Sequence, residues 1–547
     1  MLVSEAIGQV LADSGIEAFF GLAGSGNFAV LNALHEAGAT FYSSRHETGA
    51  VMMADGYARA SGKVGVASVH QGPGFTNSLT GLTEAAKAGT PLVVLAADIP
   101  AGTLWSNFKV DQGALAATLG AIPERVRGAQ TAAADTARAL RRTQTERRPV
   151  VLSIPIDVVE EERHDGRAVP LWPPLEPPVP SEDSVAAVAN LLAHSRRPAI
   201  IAGRGAAIAG AGEALETLGD RVGAVLATSA MAHGLFSGNP YSVGIAGGFS
   251  SSLAMRLMGE ADVVLAFGAS LNHWTVRHGG LFSPEARVVQ VDLDAQAIGR
   301  GHRSDIGVVG DAAGAARAIA CELEQRGVRG EGFRNGWLER EISEGRTRDE
   351  PYEDLGTAEY IDPRTLTITL DDLLPWERTV CTDSGHFLGY PAMYLDVPDE
   401  QGFVFPNAFQ SVGLGLASGI GAAIARPERL CVAAVGDGGA MMALGELETA
   451  ARYKLPMLIV VYNDAAYGAE VHHFGPMGRP VELARFPETD FAALARAAGA
   501  DGITVRNEGD LSPVLDWLEE RDRPLVIDAK VNPEIRAEWL AEAFRSH

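Results

Sequence analysis

Short, continuously apolar runs recur along the chain between longer alanine-rich stretches with helical spacing. VGVASVH (64–70) and PLVVLAAD (91–98) open the series, followed by RPAIIAGRG (197–205), ADVVLAFGAS (261–270) and ARVVQVDLD (286–294). TVCTDSG (379–385), RLCVAAVGDGG (429–439), LPMLIVVYND (455–464) and RPLVIDAKV (523–531) complete it. Strands apolar on both faces, separated by helices of ~10–15 residues, predict parallel sheets with helices on both sides. The N-terminal residues 1–22 read as an amphipathic helix running into a short strand. Two segments break the pattern. Residues 169–184 carry six prolines and predict an extended linker, and residues 325–363 are charged and glycine-containing. The expected architecture is α/β, with three doubly wound parallel-sheet domains over 1–168, 185–325 and 355–547.

Composition narrows the classes. A chain of 547 residues, 46% hydrophobic, has material for several cores. The formal charge, 45 − 69 = −24, argues against a nucleic-acid partner. Cys321, Cys381 and Cys431 are far apart and form no CxxC pair, which fits a reducing compartment. No run approaches the ~18 apolar residues of a membrane span, and the N-terminus lacks a basic leader. The expectation is a cytoplasmic protein with no membrane partner.

In parallel α/β sheets, ligands sit at the carboxyl ends of strands. His70, Asp98, Asp383, Asp437 and Asn463-Asp464 stand there. Across 429–468 the pattern predicts a strand (RLCVAAV), a tight GDGG turn, one amphipathic helix over AMMALGELETAARYK, and a second strand ending in Asn-Asp. A right-handed crossover would lay the two strands side by side and bring Asp464 to Asp437. Two carboxylates, a backbone carbonyl, water and diphosphate oxygens would complete an octahedral Mg²⁺ site. Taken singly, Asp437 could be a helix cap and Asn463-Asp464 a turn.

GDG followed, 464 − 437 = 27 residues on, by the second residue of an Asn-Asp pair resembles the binding motif of thiamine-diphosphate (ThDP) enzymes. The resemblance implies that Asp437, Asp464 and the main chain of Ala466 hold the metal. The family usually has asparagine where Asp464 stands. Further cofactor contacts implied are Gly436, Gly438, Gly439, Tyr467 and Gly468. SSRHETGAVMMADGYARASGKVGV (43–66) places Glu47 where the family has its activating glutamate, which hydrogen-bonds N1′ of the aminopyrimidine and favours the imino tautomer. The alternative is a helix-surface glutamate paired with Arg45. HQGPGFTNSLTGLTEAAKAGTPLVVL (70–95) resembles the GPGxxN segment of acetolactate-synthase-like enzymes. TDSGHF resembles their diphosphate-contacting turn, implying Ser384, Gly385, His386 and Phe387. Val412 falls where the family places an apolar wedge that bends the cofactor.

The reaction reads in two directions. His70 and Ser25 match the catalytic histidine and substrate-binding serine of benzoylformate decarboxylase, and Glu470 matches a catalytic glutamate of pyruvate decarboxylase. His273 would add a second histidine. On the other side, Gln112 matches a loop glutamine of acetolactate synthases, which also have a tryptophan near His473 that this chain lacks. Arg204 and Asp292-Asp294 in the central block leave FAD open. The expected activity is ThDP- and Mg²⁺-dependent decarboxylation of a small 2-oxo acid, with carboligation to a second carbonyl left open. Acetolactate synthase proper, a flavin-dependent 2-oxo acid oxidase and a non-catalytic ThDP-binding paralogue are the alternatives. The resemblance implies a homodimer at least, with a homotetramer expected.

Overall fold

The structure is a computed structural model that describes residues 1–547 except 101, 163–168, 170–172, 174–175 and 546–547. Five residues of the proline-rich segment 169–184 (170–172, 174 and 175) therefore lie outside the described residues. The helix expected at the N-terminus is Val3–Asp13. The first sheet comprises β1 (Ala18–Gly21), β2 (Thr40–Ser43), β3 (Gly65–Val69), β4 (Leu92–Asp98), β5 (Ile122–Arg125) and β6 (Val150–Pro155), in the order β2-β1-β3-β4-β6-β5. The second comprises β7 (Pro198–Ala202), β8 (Val225–Thr228), β9 (Ser242–Ile245), β10 (Val263–Phe267), β11 (Arg287–Asp292) and β12 (Ile306–Val309), ordered β12-β11-β10-β7-β8-β9. The third comprises β13 (Arg378–Thr382), β14 (Phe403–Val404), β15 (Leu430–Gly436), β16 (Met457–Asn463), β17 (Asp501–Val505) and β18 (Leu525–Lys530), ordered β14-β13-β15-β16-β18-β17.

Every pairing within the three sheets is parallel. The apolar runs explain this: β4, β16 and β18 are buried along their whole length, as strands covered on both faces must be. The middle sheet has the doubly wound order that reverses between its first and fourth strands. The first and third sheets share one topology, each numbered from its own start as 2-1-3-4-6-5.

Those two sheets also meet through equivalent helices. Glu47–Ser61 follows β2, Gly415–Ala425 follows β14, and the two helices pack together. Glycine permits the contact: a Cβ at Gly56 would lie 2.0 Å from the Ser418 carbonyl oxygen, and one at Gly421 would lie 1.9 Å from that of Met53. Alanine in a helix interior normally gains ~1 kcal/mol over glycine. At Gly421 the clash dominates, so Gly421→Ala should instead destabilise the pair of domains by about 1–3 kcal/mol. A lowered denaturation midpoint would show it; a raised one would refute the packing argument.

One expected break is partly filled. Residues 325–363 contain the helix Gly336–Glu344, whose Leu338 and Ile342 join Phe333 in the core of the middle domain. The apolar residues at i and i+4 were masked in the sequence by surrounding charge. Cys381 and Cys431 are buried free thiols and Cys321 is exposed. Among the described residues no helix is long and apolar enough to cross a membrane.

Candidate active site

β15 and β16 lie side by side with Gly436 opposite Tyr462, so their carboxyl ends arrive together. GDGG is not a turn: Gly436 caps the helix Asp437–Met442, and Asp437 is its first residue. The single helix expected beyond it is two, because Ala443 leaves helical geometry (φ −103°, ψ 16°) and the chain restarts as Leu444–Arg452. That second helix carries Glu446, which accepts the N–H groups of Arg45 and His46 from the N-terminal domain at 3.0–3.2 Å.

The Asp437 and Asp464 carboxyls interact directly, and the Ala466 N–H donates to Asp464 Oδ1 at 3.2 Å. Burial raises the pKa of both carboxyls, and the Asp437 charge raises that of Asp464 further. Asn463 points elsewhere, its amide donating to Asp528 (2.8 Å) and to the Thr489 carbonyl (3.0 Å). A turn after β13 supplies Ser384, Gly385, His386 and Phe387. His386 Nε2 accepts the Ala537 N–H at 2.9 Å and its ring stacks on His472 at 4.5 Å. Burial, and then the charge of His472, push its pKa down to about 3, so it stays neutral. Phe387 stacks on Tyr462 at 5.1 Å.

Asp437, Asp464, Ala466 and the turn 384–387 line one cleft of about 870 Å³, together with Val412, Gly436, Gly438, Gly439, Tyr467, Gly468 and Glu470. His273 reaches it from the middle domain, its ring 5.3 Å from that of His278. Lys87, Arg204 and Arg300 add three cations to its walls, whereas Asp292 and Asp294 are not among its lining residues. Asp292 Oδ1 instead accepts the Asp294 N–H.

A second constellation forms at the carboxyl ends of β1, β2 and β3. Glu47 opens the helix Glu47–Ser61, and Asn77 Nδ2 donates to its Oε2 at 3.1 Å. Its other oxygen faces Gly74, where a Cβ would come within 3.3 Å. Arg45 is paired with Glu448 at 2.6 Å and leaves Glu47 to Asn77. Asn77 is a partner the sequence reading quoted, as the last residue of GPGxxN, without giving it a role. His70 Nδ1 lies 2.8 Å from the Gln71 carbonyl, which can only accept, so that nitrogen carries the proton. In the neutral ring Nε2 is then the acceptor, 3.3 Å from Ser25 Oγ. Gln112 is buried, with Nε2 donating to the Ala97 carbonyl (3.0 Å) and Oε1 accepting the Gly72 N–H (3.4 Å). Both ends of that amide tie a loop to the sheet.

The structure thus gathers the predicted residues into two groups. None of Ser25, Glu47, His70 or Gln112 is among the residues that line the cleft of the same chain. The two groups sit at corresponding strand ends of the two sheets that share a topology.

Comparison with known proteins accounts for this duplication. Residues 1–116 match the profile described as thiamine pyrophosphate enzyme, N-terminal TPP binding domain; residues 185–319 match the central domain of that family; residues 383–529 match its C-terminal TPP binding domain. A sulfoacetaldehyde acetyltransferase from Castellaniella defragrans is 30% identical over 545 residues, covering 94% of this chain and 90% of the relative. An acetolactate synthase large subunit from Parasynechococcus marenigrum is 29% identical, covering 96% and 87%. A probable acetolactate synthase large subunit from Methanocaldococcus jannaschii is 27% identical, covering 97% and 92%. With all three domain profiles matched in order and the relatives aligned almost end to end, the chain belongs to the thiamine-diphosphate-dependent enzyme family.

Proposed function

We propose that the chain is a ThDP- and Mg²⁺-dependent enzyme that severs the bond between the carboxylate and carbonyl carbons of a 2-oxo acid. The remaining acyl unit is then released on a proton or passed to a second carbonyl. The observation that carries this reading is the contact between Asp437 and Asp464, two buried carboxyls on adjacent strand ends at the wall of the cleft. Two carboxylates in that position repel unless a proton or a cation lies between them. Among the described residues no group of three His, Cys, Asp or Glu side chains is placed to hold a metal. A hard cation that takes only two carboxylates and a carbonyl from the protein, and the rest from phosphate and water, fits that donor set. Asp437, Asp464 and the Ala466 carbonyl would hold Mg²⁺. Aspartate in place of the family's usual asparagine adds a negative charge without removing a ligand.

Bound ThDP supplies a carbon nucleophile and an electron sink that no side chain offers. The chain's own residues do the rest. The turn at 384–387 and the Asp437 helix start accept the diphosphate end, and Val412 supports the bend. Glu47, fixed by Asn77, holds or gives the proton at N1′. His70 would act once protonated at Nε2: that N–H and the Ser25 hydroxyl would orient a substrate carboxylate, and the same proton would be given up once CO₂ has left. Glu470 and His273 line the cleft of the Asp437 group and would meet the Glu47 and His70 of a second copy there.

Because none of the Glu47 group lines the cleft that holds the Asp437 group of the same chain, a second copy of the chain would complete each site. Exposed apolar side chains flank both groups and support this: Phe28, Trp105 (92% exposed) and Phe108 on one, Met441 and Met442 on the other. A homodimer is the minimum assembly on this reading, and the tetramer rests on resemblance alone.

The cations Lys87, Arg204 and Arg300 favour a second donor class, an aldehyde with an anionic tail such as the substrate named in the acetyltransferase relatives. Purified protein with ThDP and Mg²⁺ should release CO₂ from at least one member of a panel of 2-oxo acids. Release without an aldehyde acceptor marks a decarboxylase, and acceptor-dependent release a carboligase. Turnover of sulfoacetaldehyde with no 2-oxo acid activity would replace the first reading by the second. A flavin spectrum bleached by substrate would replace both with an oxidase.

A further inference from the structure

The loop that carries Val412 is suspended between two buried carboxylates. At its far end Asp383 accepts the N–H groups of Gly413 (3.0 Å) and Leu414 (3.2 Å), along with that of Ser384 (2.8 Å). At its near end the partner comes from the N-terminal domain. Glu84, on the helix Leu79–Ala88, accepts the Ala408 N–H on Oε1 (3.1 Å) and the Phe409 N–H on Oε2 (2.6 Å). Arg59 braces Glu84: Nη2 pairs with Oε1 at 2.8 Å, Nε pairs with Asp55 at 2.6 Å, and Nη1 donates to the Phe405 carbonyl at 2.9 Å. The Asp55 and Glu84 side chains are wholly buried and that of Arg59 is 6% exposed.

Between the two anchors Gln410 adopts φ +60°, a left-handed conformation costly for a residue with a side chain. Such a conformation persists where the surroundings over-determine it. Charge-assisted hydrogen bonds from buried carboxylates are strong enough to do so. Phe405, Asn407, Ala408, Gln410 and Val412 all line the cleft, so the clamp acts on its wall.

We propose that Glu84, braced by Arg59, is a positioning residue that sets where Val412 stands in the cleft. A helix of the N-terminal domain thereby shapes the cofactor seat in the C-terminal domain of the same chain. The inference rests on the reading of Val412 as the support beneath the cofactor.

Glu84→Asp is the informative variant. It keeps the charge that balances Arg59 inside the protein, which removal would leave unpaired. It shortens the reach to the loop by about 1.5 Å. Hydrogen–deuterium exchange of the amides over 405–414, measured without cofactor, should quicken by about tenfold or more while the rest of the C-terminal domain is unchanged. With ThDP and Mg²⁺ added, deuterium exchange at C2 of the bound cofactor and kcat should both fall by about ten- to a hundredfold, with KM for the 2-oxo acid within about twofold. Should Glu84→Asp not fold, Glu84→Gln keeps the side-chain volume and carries the same measurements. Wild-type C2 exchange in a folded variant, or loosening spread evenly over the domain, would overturn the proposal. Glu47→Gln measured alongside separates the two layers. Slow exchange there with normal exchange in the Glu84 variant rejects only the positioning role, whereas normal exchange in both rejects the functional reading beneath it.

Discussion

Replacing Glu47 with glutamine should lower kcat by about 10²–10⁴-fold, the usual worth of a positioned acid–base group, and leave ThDP affinity within a few-fold of wild type. The substitution keeps the side chain's length and volume. Its carbonyl oxygen can still accept the Asn77 amide that now donates to Oε2 at 3.1 Å, so the position of the group survives. The other atom, facing Gly74, becomes an amide that can neither take nor return a proton. Titration of ThDP by calorimetry, beside single-turnover rates, separates the two effects. A variant with wild-type turnover would refute the role assigned to Glu47, and one that cannot bind ThDP would make the residue part of the seat instead.

Mixing two inactive variants should restore activity. Glu47→Gln removes the proposed proton-transferring group from one of the two constellations, and Asp437→Ala removes a carboxylate from the other. If each site is built from two copies, a mixed dimer has one site missing both groups and one with both intact. Dissociating and reassociating equal amounts should therefore return about one quarter of wild-type turnover, since half the dimers are mixed and half of their sites are whole. If both groups served a single site within one chain, every site would remain defective and no activity would return. The physical basis is the separation seen here: Glu47, His70 and Ser25 gather at the ends of β1–β3, while Asp437 and Asp464 gather at the ends of β15 and β16.

Much of the fold was legible because it depends on local repetition. Runs such as LCVAAV and MLIVVY are apolar at consecutive positions, and only a strand covered on both faces can bury such a run without helical length. The juxtaposition of Asp437 and Asp464 followed from the crossover rule, since a strand–helix–strand unit returns its second strand beside the first. The motif also singled out residues 384–387, which the structure places on the cleft wall. Other features were not. The helix begins at Asp437 rather than after the glycines, because the helix dipole accommodates a carboxylate in the first turn. The break at Ala443 carries no local signal; it sends the following helix toward the N-terminal domain, where Glu446 caps the backbone at Arg45. Gln112 read as a loop residue near the substrate, yet its amide is consumed in holding Gly72 to Ala97. Asn77 and Glu84 were hidden for the opposite reason, since each takes its meaning from a partner 30 and more than 300 residues away in the chain.

By itself, then, the sequence determined three α/β units, the apolar core strands that build them, and which of those strand ends carry acids and histidines. Those properties follow from hydrophobic period and chain connectivity, and both are local. Only the tertiary structure decided that the histidine–glutamate group stands outside the cleft lined by the acids of the same chain, and that a buried Glu84 reaches across a domain boundary to the Val412 loop. Helix-on-helix packing through Gly56 and Gly421 holds the two domains together. Its energy comes from close contact between segments hundreds of residues apart, which no periodicity along the chain records.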